Sequence, residues 1–158
     1  MPGERVLFDF ESDSELDRFD WRCHTLFSLS DAYATHGKKC LRLELYPSDY
    51  PGLAPMLDDN DWRGYKNLCF DIYNSEEEVL SVTVRIDDRK DYPDYGDRYN
   101  KSFEIQPGMN QIRIPFDSFI TSRTGRALDL KKIYRLLIFI VRPEKRVVLY
   151  VDYLRLVS

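Results

Sequence analysis

Apolar and polar residues alternate one by one from Leu80 to Asp87, and that period of two constrains what the chain can fold into. Leu80, Val82, Val84 and Ile86 fall on one side, and Ser81, Thr83, Arg85 and Asp87 on the other. A strand built this way must lay one face on a core and turn the other outward. The pattern recurs in short runs. Arg5–Phe10 and Trp21–Leu29 read as strands. Cys40–Tyr46 sets Leu41, Leu43 and Leu45 against Cys40, Arg42 and Glu44. Leu53–Leu57 carries Pro55, which suits an edge. Lys66–Tyr73 places Leu68, Phe70 and Ile72 on one face. Asn100–Gln106 and Met109–Ile114 read as a hairpin around Pro107-Gly108. Ile133–Val141 is apolar on nearly both faces, and Val147–Val157 is the last strand.

The segments between are turns. Glu11–Asp17 is acidic, His36-Gly37-Lys38 and Asp58–Gly64 are polar, and Ser122–Arg126 is basic. Pro115–Phe119 suits a single helical turn, and Asp129 can cap a short turn at Leu130–Lys132. Roughly ten short strands, turn signals at regular spacing and no long helical period predict an all-β fold. Two antiparallel sheets packed as a jelly-roll sandwich bury such half-apolar strands and limit free edges. No linker or repeat divides the 158 residues, so one domain, residues 1–158, is expected.

Composition narrows the function classes. A net charge of −4 argues against a nucleic acid held through its phosphates. No apolar run approaches a membrane span. Met-Pro-Gly-Glu-Arg lacks the features of a signal peptide. Two expectations about compartment stay open: cytoplasmic if the chain is complete as given, or extracellular, periplasmic or cell-surface if it is cut from a longer exported chain. Cys23, Cys40 and Cys69 are odd in number and widely spaced, which suits neither a disulfide framework nor a zinc site. His24 beside Cys23 and His36 before Cys40 offer a weak metal-cluster reading; buried, inert thiols are the expected state. Carboxylate pairs such as Asp87-Asp88 or Asp91 with Asp97 can be drawn for glycoside cleavage. Adjacent Asp87 and Asp88 point to opposite faces of a strand and cannot flank one bond. No nucleophile elbow or glycine-rich phosphate loop occurs, so a non-enzyme is expected.

Five stretches carry a resemblance: Leu7-Phe8-Asp9-Phe10-Glu11, His36-Gly37-Lys38-Lys39-Cys40-Leu41, Asp61-Trp62-Arg63-Gly64-Tyr65-Lys66, Pro107–Pro115 and Leu149-Tyr150-Val151-Asp152-Tyr153-Leu154. They fall in the order seen in carbohydrate-binding modules with a galactose-binding-domain-like jelly roll. The chain resembles the family-11 modules most, and more loosely the complex I intermediate-associated proteins. That resemblance implies one convex and one concave sheet, with a sugar across the concave one and a structural Ca2+ at an edge away from it. Glu11 and Asp152 match the two acidic metal positions, Asp9 is a neighbour, and carbonyls near Lys38 and Lys39 would complete an oxygen shell. The alternative is that Asp9, Glu11 and Asp152 are ordinary strand-end carboxylates, neutralised by the two lysines.

A pyranose offers an apolar face for stacking and a rim of hydroxyls for charge-assisted hydrogen bonds. Arg85 and Asp87 lie on the polar face of a strand expected to be central, where charged side chains need a reason. Arg113 lies on the polar face of its own strand. Asp97, Arg98, Tyr99, Arg123 and Arg126 come from loops expected near the cleft. Tyr50, Tyr92 and Tyr95 are the stacking candidates. The competing reading of Arg85 and Asp87 is a cross-strand salt bridge to Arg113 or Glu104. Trp62 and Trp21 read as packing residues, Trp62 because it sits in the strand lead-in motif. The chain departs from the family in offering Leu137, Phe139 and Val141, then Arg142, where aromatic rings are usual. Its 88–99 loop is unusually charged, and both features count against an extended β-glucan. The expected ligand is a carbohydrate, bound by a monomeric module tethered beside another domain; the alternative is a protein-interaction or assembly module. An open groove with a ring beside unpaired polar groups would favour the sugar, and a filled or charge-paired one the assembly role.

Overall fold

A computed structural model describes residues 3–158, apart from the side chains at 20–22. The alternating segments form strands β1 (Glu4–Phe8), β2 (Phe19–Arg22), β3 (Thr25–Ser30), β4 (Cys40–Leu45), β5 (Gly52–Pro55), β6 (Asn67–Asn74), β7 (Leu80–Asp87), β8 (Tyr99–Ile105), β9 (Gly108–Pro115), β10 (Arg135–Phe139) and β11 (Val147–Val157). One sheet runs β3-β4-β11-β6-β9 with β1 added alongside β11, and the other runs β2-β5-β10-β7-β8. Every pairing is antiparallel. The expected two-sheet all-β sandwich is therefore the observed architecture. Among the described residues no helix is long and apolar enough to cross a membrane.

The core fills the space between the sheets. Leu41, Leu43 and Leu45 of β4, Phe70 and Ile72 of β6, and Leu149 and Val151 of β11 meet Val82, Val84 and Ile86 of β7 and Leu136 and Ile138 of β10. Fully burying each such side chain contributes about 1.5–3 kcal/mol. Trp62 is buried and stacks on Phe116 with ring centroids 5.8 Å apart, the packing role its motif suggests. Trp21 is expected to pack too, but its side chain lies outside the described residues. Gly52 lets β5 approach β10 closely, since a Cβ there would sit 2.3 Å from the Ile138 carbonyl oxygen.

Three strand expectations need correction. The Pro55 strand is no edge, since β5 pairs with β2 on one side and β10 on the other. The other two concern chain crossings between sheets. Trp21–Leu29 is two strands, with β2 on β5 and β3 on β4. The chain crosses at Cys23, which takes a left-handed φ of 53°. Asn100–Gln106 and Met109–Ile114 are not a hairpin either: β8 pairs with β7, and β9 pairs with β6 in the opposite sheet. At the crossing Asn110 replaces ladder bonds with its own amide. Its oxygen accepts from the Gln106 N–H at 3.0 Å, and its nitrogen donates to the Gln106 carbonyl at 2.8 Å.

Cys40 and Cys69 are buried and free, whereas Cys23 is exposed, so the expectation of buried thiols fails there. Burial pushes the Cys40 thiol up to about 12, which keeps it protonated and inert at neutral pH. Among the described residues no three His, Cys, Asp or Glu side chains converge to hold a metal, which leaves the cysteine–histidine cluster without a structural basis.

Candidate functional site

Register places the polar face of β7 at the centre of an open groove on the outside of the five-stranded sheet. Arg85 lies between Asn100 of β8 and Leu137 of β10, and Thr83 lies between Ser102 and Phe139. Cross-strand partners share a face, so these rows form the floor. One half of the groove, about 300 Å³, is lined by Thr83, Arg85, Arg98 and Asn100 between Tyr50 and Tyr95. The rings are 41% and 55% exposed, so both are available for stacking. Tyr50 stands edge-on to Phe139 at 5.8 Å. The other half, about 370 Å³, runs past Arg85 toward Met56, Tyr92, Tyr134 and Arg135.

Beneath Arg85 lies an ion-pair hub. Arg85 Nε and Nη2 donate to Asp87 Oδ1 and Oδ2 at 2.9 and 2.8 Å, and Arg135 Nη1 donates to Oδ2 at 3.0 Å. Asp87 is 0% exposed. The bridge is thus to Arg85 on the same strand and Arg135 on the next, not to Arg113 or Glu104. Burial also corrects the reading of Asp87 as a ligand contact. Both its oxygens are engaged, so it fixes Arg85 through Nε and Nη2 and leaves Nη1 of that guanidinium outside the pair. Arg135 donates further to the Arg89 carbonyl at 3.0 Å and to the Lys90 carbonyl, and its guanidinium lies 4.2 Å from the centre of the Tyr92 ring.

The charged loop after β7 is stitched to the 121–126 turn. Arg126 holds Asp88 with two hydrogen bonds at 2.6 and 3.0 Å, and the Asp129 N–H reaches Asp88 at 2.8 Å. Burial pushes the Asp88 carboxyl up, but the Arg126 hydrogen bonds, the Asp129 N–H and the Arg126 charge outweigh it, so its pKa falls below the ordinary value. Asp97 pairs with Arg126 at 3.2 Å and Arg89 at 3.3 Å. It therefore braces the loop beside the groove and lines neither half of it. Arg123 lies over Tyr95 at 5.8 Å and steadies that ring from outside.

Two expected contacts are displaced outright. Tyr99 is 3% exposed and packs on Phe119 at 5.1 Å, because its register partner Ile86 faces the core. Arg113 stands on β9 of the other sheet, opposite Cys69, and does not line the groove. Tyr92 does reach the groove and is 83% exposed.

The sequence profile described as "Carbohydrate binding domain (family 11)" matches residues 2–127. The chain belongs to that family. Family-11 membership makes it a non-catalytic carbohydrate-binding domain, and solved structures carry the same fold. A family-11 module from Clostridium thermocellum, solved with a β-1,3-1,4-mixed-linked tetrasaccharide, has a TM-score of 0.75 at 21% identity, covering 99% of this chain and 96% of that one. An exo-β-agarase matches at a TM-score of 0.74 and 17% identity, over 96% of this chain and 25% of the agarase. A CBM22-1 xylan-binding domain from Paenibacillus barcinonensis matches at 0.64 and 12% identity, covering 100% of this chain and 98% of that one. No curated protein sequence matches the chain.

The acidic positions that the family-11 resemblance ties to calcium gather under the 31–39 loop. Glu11 accepts from the Lys38 N–H at 2.7 Å and the Lys39 N–H at 2.8 Å. Asp152 Oδ2 accepts from the N–H groups of Thr35 and His36 at 2.7 and 2.9 Å, and Oδ1 from that of Tyr153 at 2.7 Å. Asp9 turns to the Glu11 N–H at 3.4 Å. Lys38 and Lys39 therefore present N–H donors to Glu11 where a cation would need carbonyl oxygens. Donors of that polarity do not fit a calcium shell in this arrangement.

The groove is also lined by residues that sequence reasoning did not single out. Thr83 has the same parity as Arg85 and was within reach of the period-two argument. Asn100, Ser102, Phe139 and Arg135 enter through strand register, for which the sequence has no local signal. Arg98, expected near the cleft, does line it, and Lys101, which was not singled out, borders it from β8.

Proposed function

We propose that this family-11 domain holds its glycan along the outer face of the five-stranded sheet, over β7, β8 and β10. Sugar rings lie between Tyr50 and Tyr95, and their hydroxyls meet Arg85, Arg98, Asn100, Thr83 and Ser102. The observation that carries this reading is an open groove with two exposed rings flanking polar groups that still have capacity to bond. An apolar sugar face stacks on such rings, and Asn and Arg donors take the hydroxyl rim. Asp87 contributes indirectly, by locking Arg85 in one orientation before a ligand arrives. The same groove disfavours the assembly reading, which calls for a filled or charge-paired surface.

The domain serves a larger protein, as a tethered module that keeps a neighbouring domain near polysaccharide. In support, the stretch it matches is 25% of the exo-β-agarase chain.

Affinity electrophoresis through gels containing a panel of neutral and charged polysaccharides tests the site. Migration should be retarded by at least one polymer. The double variant Tyr50→Ala, Tyr95→Ala should migrate freely with an unchanged melting temperature. Retardation that survives in that variant would place the site elsewhere, and silence across the panel would sink the reading.

A further inference from the structure

The groove carries an imbalance of charge. Arg85 and Arg98 line one half, Arg85 and Arg135 line the other, and no carboxylate lines either. The one acid below the floor is Asp87, already shared by Arg85 and Arg135. Lys101 only borders the groove, since its register partner Val84 faces the core and its ammonium lies 5.5 Å from the Phe103 ring. Arg85, Arg98 and Arg135 against Asp87 leave a local excess of two positive charges, in a chain of net charge −4. Several arginines elsewhere on the surface are paired with carboxylates, as in Arg5–Asp59, Arg18–Asp58, Arg63–Asp61 and Arg146–Glu44.

Arg98 is the telling residue. Among the described residues its side chain has no ion-pair or hydrogen-bond partner, and its Nε is buried without one. Its one described contact is the Tyr95 ring, 5.2 Å from the guanidinium carbon. Burial, and next the Arg85 charge, lower its pKa from the ordinary value. A partly buried guanidinium beside a second one, with a lysine close by, is unfavourable for the free domain. An anion would relieve it, and the planar guanidinium fork suits the paired oxygens of a carboxylate or sulfate.

Resting on the groove being the glycan site, we propose that its ligand is an acidic polysaccharide. Uronate carboxylates or sulfate esters seat on Arg98 and the open edge of Arg85, while the sugar rings stack between Tyr50 and Tyr95. The absence of a ring at Leu137 fits such a ligand, because charge contacts then supply part of what stacking supplies on a neutral chain.

The test uses polymers that differ in charge. The intact domain is run through gels containing polygalacturonate, the same polymer fully methyl-esterified, agarose, the sulfated galactan carrageenan, and neutral mixed-linked β-glucan. Retardation by polygalacturonate or carrageenan should exceed that by its uncharged counterpart by about tenfold. The two arms distinguish carboxylate from sulfate. Arg98→Gln should remove most of the difference without lowering the melting temperature. Arg98→Lys, which keeps the charge and loses the fork, should fall between. Lys131→Gln, outside the groove, should change nothing. Equal retardation by neutral and charged polymers would overturn the inference and leave the groove reading standing. So would retardation that Lys131→Gln weakens as much as Arg98→Gln does, since that is diffuse attraction. Failure to bind any polymer would overturn the groove reading itself.

Discussion

The outer faces of the two sheets carry the same residue types and treat them differently. On the six-stranded sheet Glu44 is clasped by Arg42 at 3.0 Å and Arg146 at 2.8 Å. The 31–39 loop folds over the middle strands. Thr35 Oγ1 donates to Asp71 at 2.6 Å, and Tyr33 stacks on Tyr73 at 3.6 Å. On the five-stranded sheet the groove over β7 stays open, and among the described residues Arg98 and Lys101 have no ion-pair partner. One face is completed by its own chain and the other keeps an open groove. Aromatic rings alone would not separate them, since tyrosines stand on both; the difference lies in whether polar groups are satisfied from within.

The largest expected effect probes the buried acid beneath the open face. Asp87→Ala strands two arginines, whose side chains are 14% and 24% exposed, beside an uncharged floor. Loss of one partner of a buried pair is severe. We expect a loss of roughly 3 kcal/mol in urea unfolding, with glycan binding lost as well because Arg85 swings free. Glu44→Ala on the closed face removes a more exposed acid and should cost under about 1 kcal/mol. Equal losses would erase the claim that Asp87 is a buried keystone.

Asp88→Asn comes next. Wild-type Asp88 has a lowered folded pKa, so its contribution is present above the ordinary carboxylate value and fades as pH falls through the folded one. The variant should lose about 2 kcal/mol at pH 7, discounted because Arg126 is 32% exposed. The gap between the two proteins should close as the pH drops below 3.8, the ordinary value for this carboxyl. A gap independent of pH would show that packing, not charge, is lost.

Legibility in the sequence followed how local each cause is. The strands at Leu80–Asp87 and Val147–Val157 are visible because period two is written along a few residues. The crossing after Ile105 is not, because Pro107-Gly108 turns a chain equally well toward its neighbour or toward the opposite sheet. Tyr99 illustrates a cue that was present: it shares parity with Phe103 and Ile105, which marks the inward face of β8. Asp87 was visible as a charged strand residue, but its partner Arg135 lies 48 positions away and is joined only by register. Arg98 was legible as a loop arginine near the cleft, but its lack of a partner was not, because that depends on burial and on neighbours set by register.

A smaller effect separates the tyrosines of the two faces. Tyr33 packs flat on Tyr73, with a left-handed φ of 62° that the stacking helps to hold. Tyr33→Ala should cost about 1 kcal/mol and leave retardation in polysaccharide gels untouched. A drop in binding would make the six-stranded face part of the site and dissolve the contrast between the sheets.

The smallest effect concerns the loop that closes that face. Glu11 and Asp152 are held by backbone N–H groups of Thr35, His36, Lys38 and Lys39. Burial, then repulsion from Glu11, raise the Asp152 pKa against the hydrogen bonds that lower it. A raised carboxyl pKa stabilises the fold as pH falls through it, opposite in sign to Asp88. A bound cation would reverse that, favouring the ionised acid. If the N–H donors are the working partners, EDTA should leave the melting temperature unchanged at neutral pH, and added Ca2+ should do nothing. A fall of several degrees on chelation, restored by Ca2+, would show that the 31–39 loop turns its carbonyls inward around a metal. The closed face would then be completed by an ion as well as by the chain.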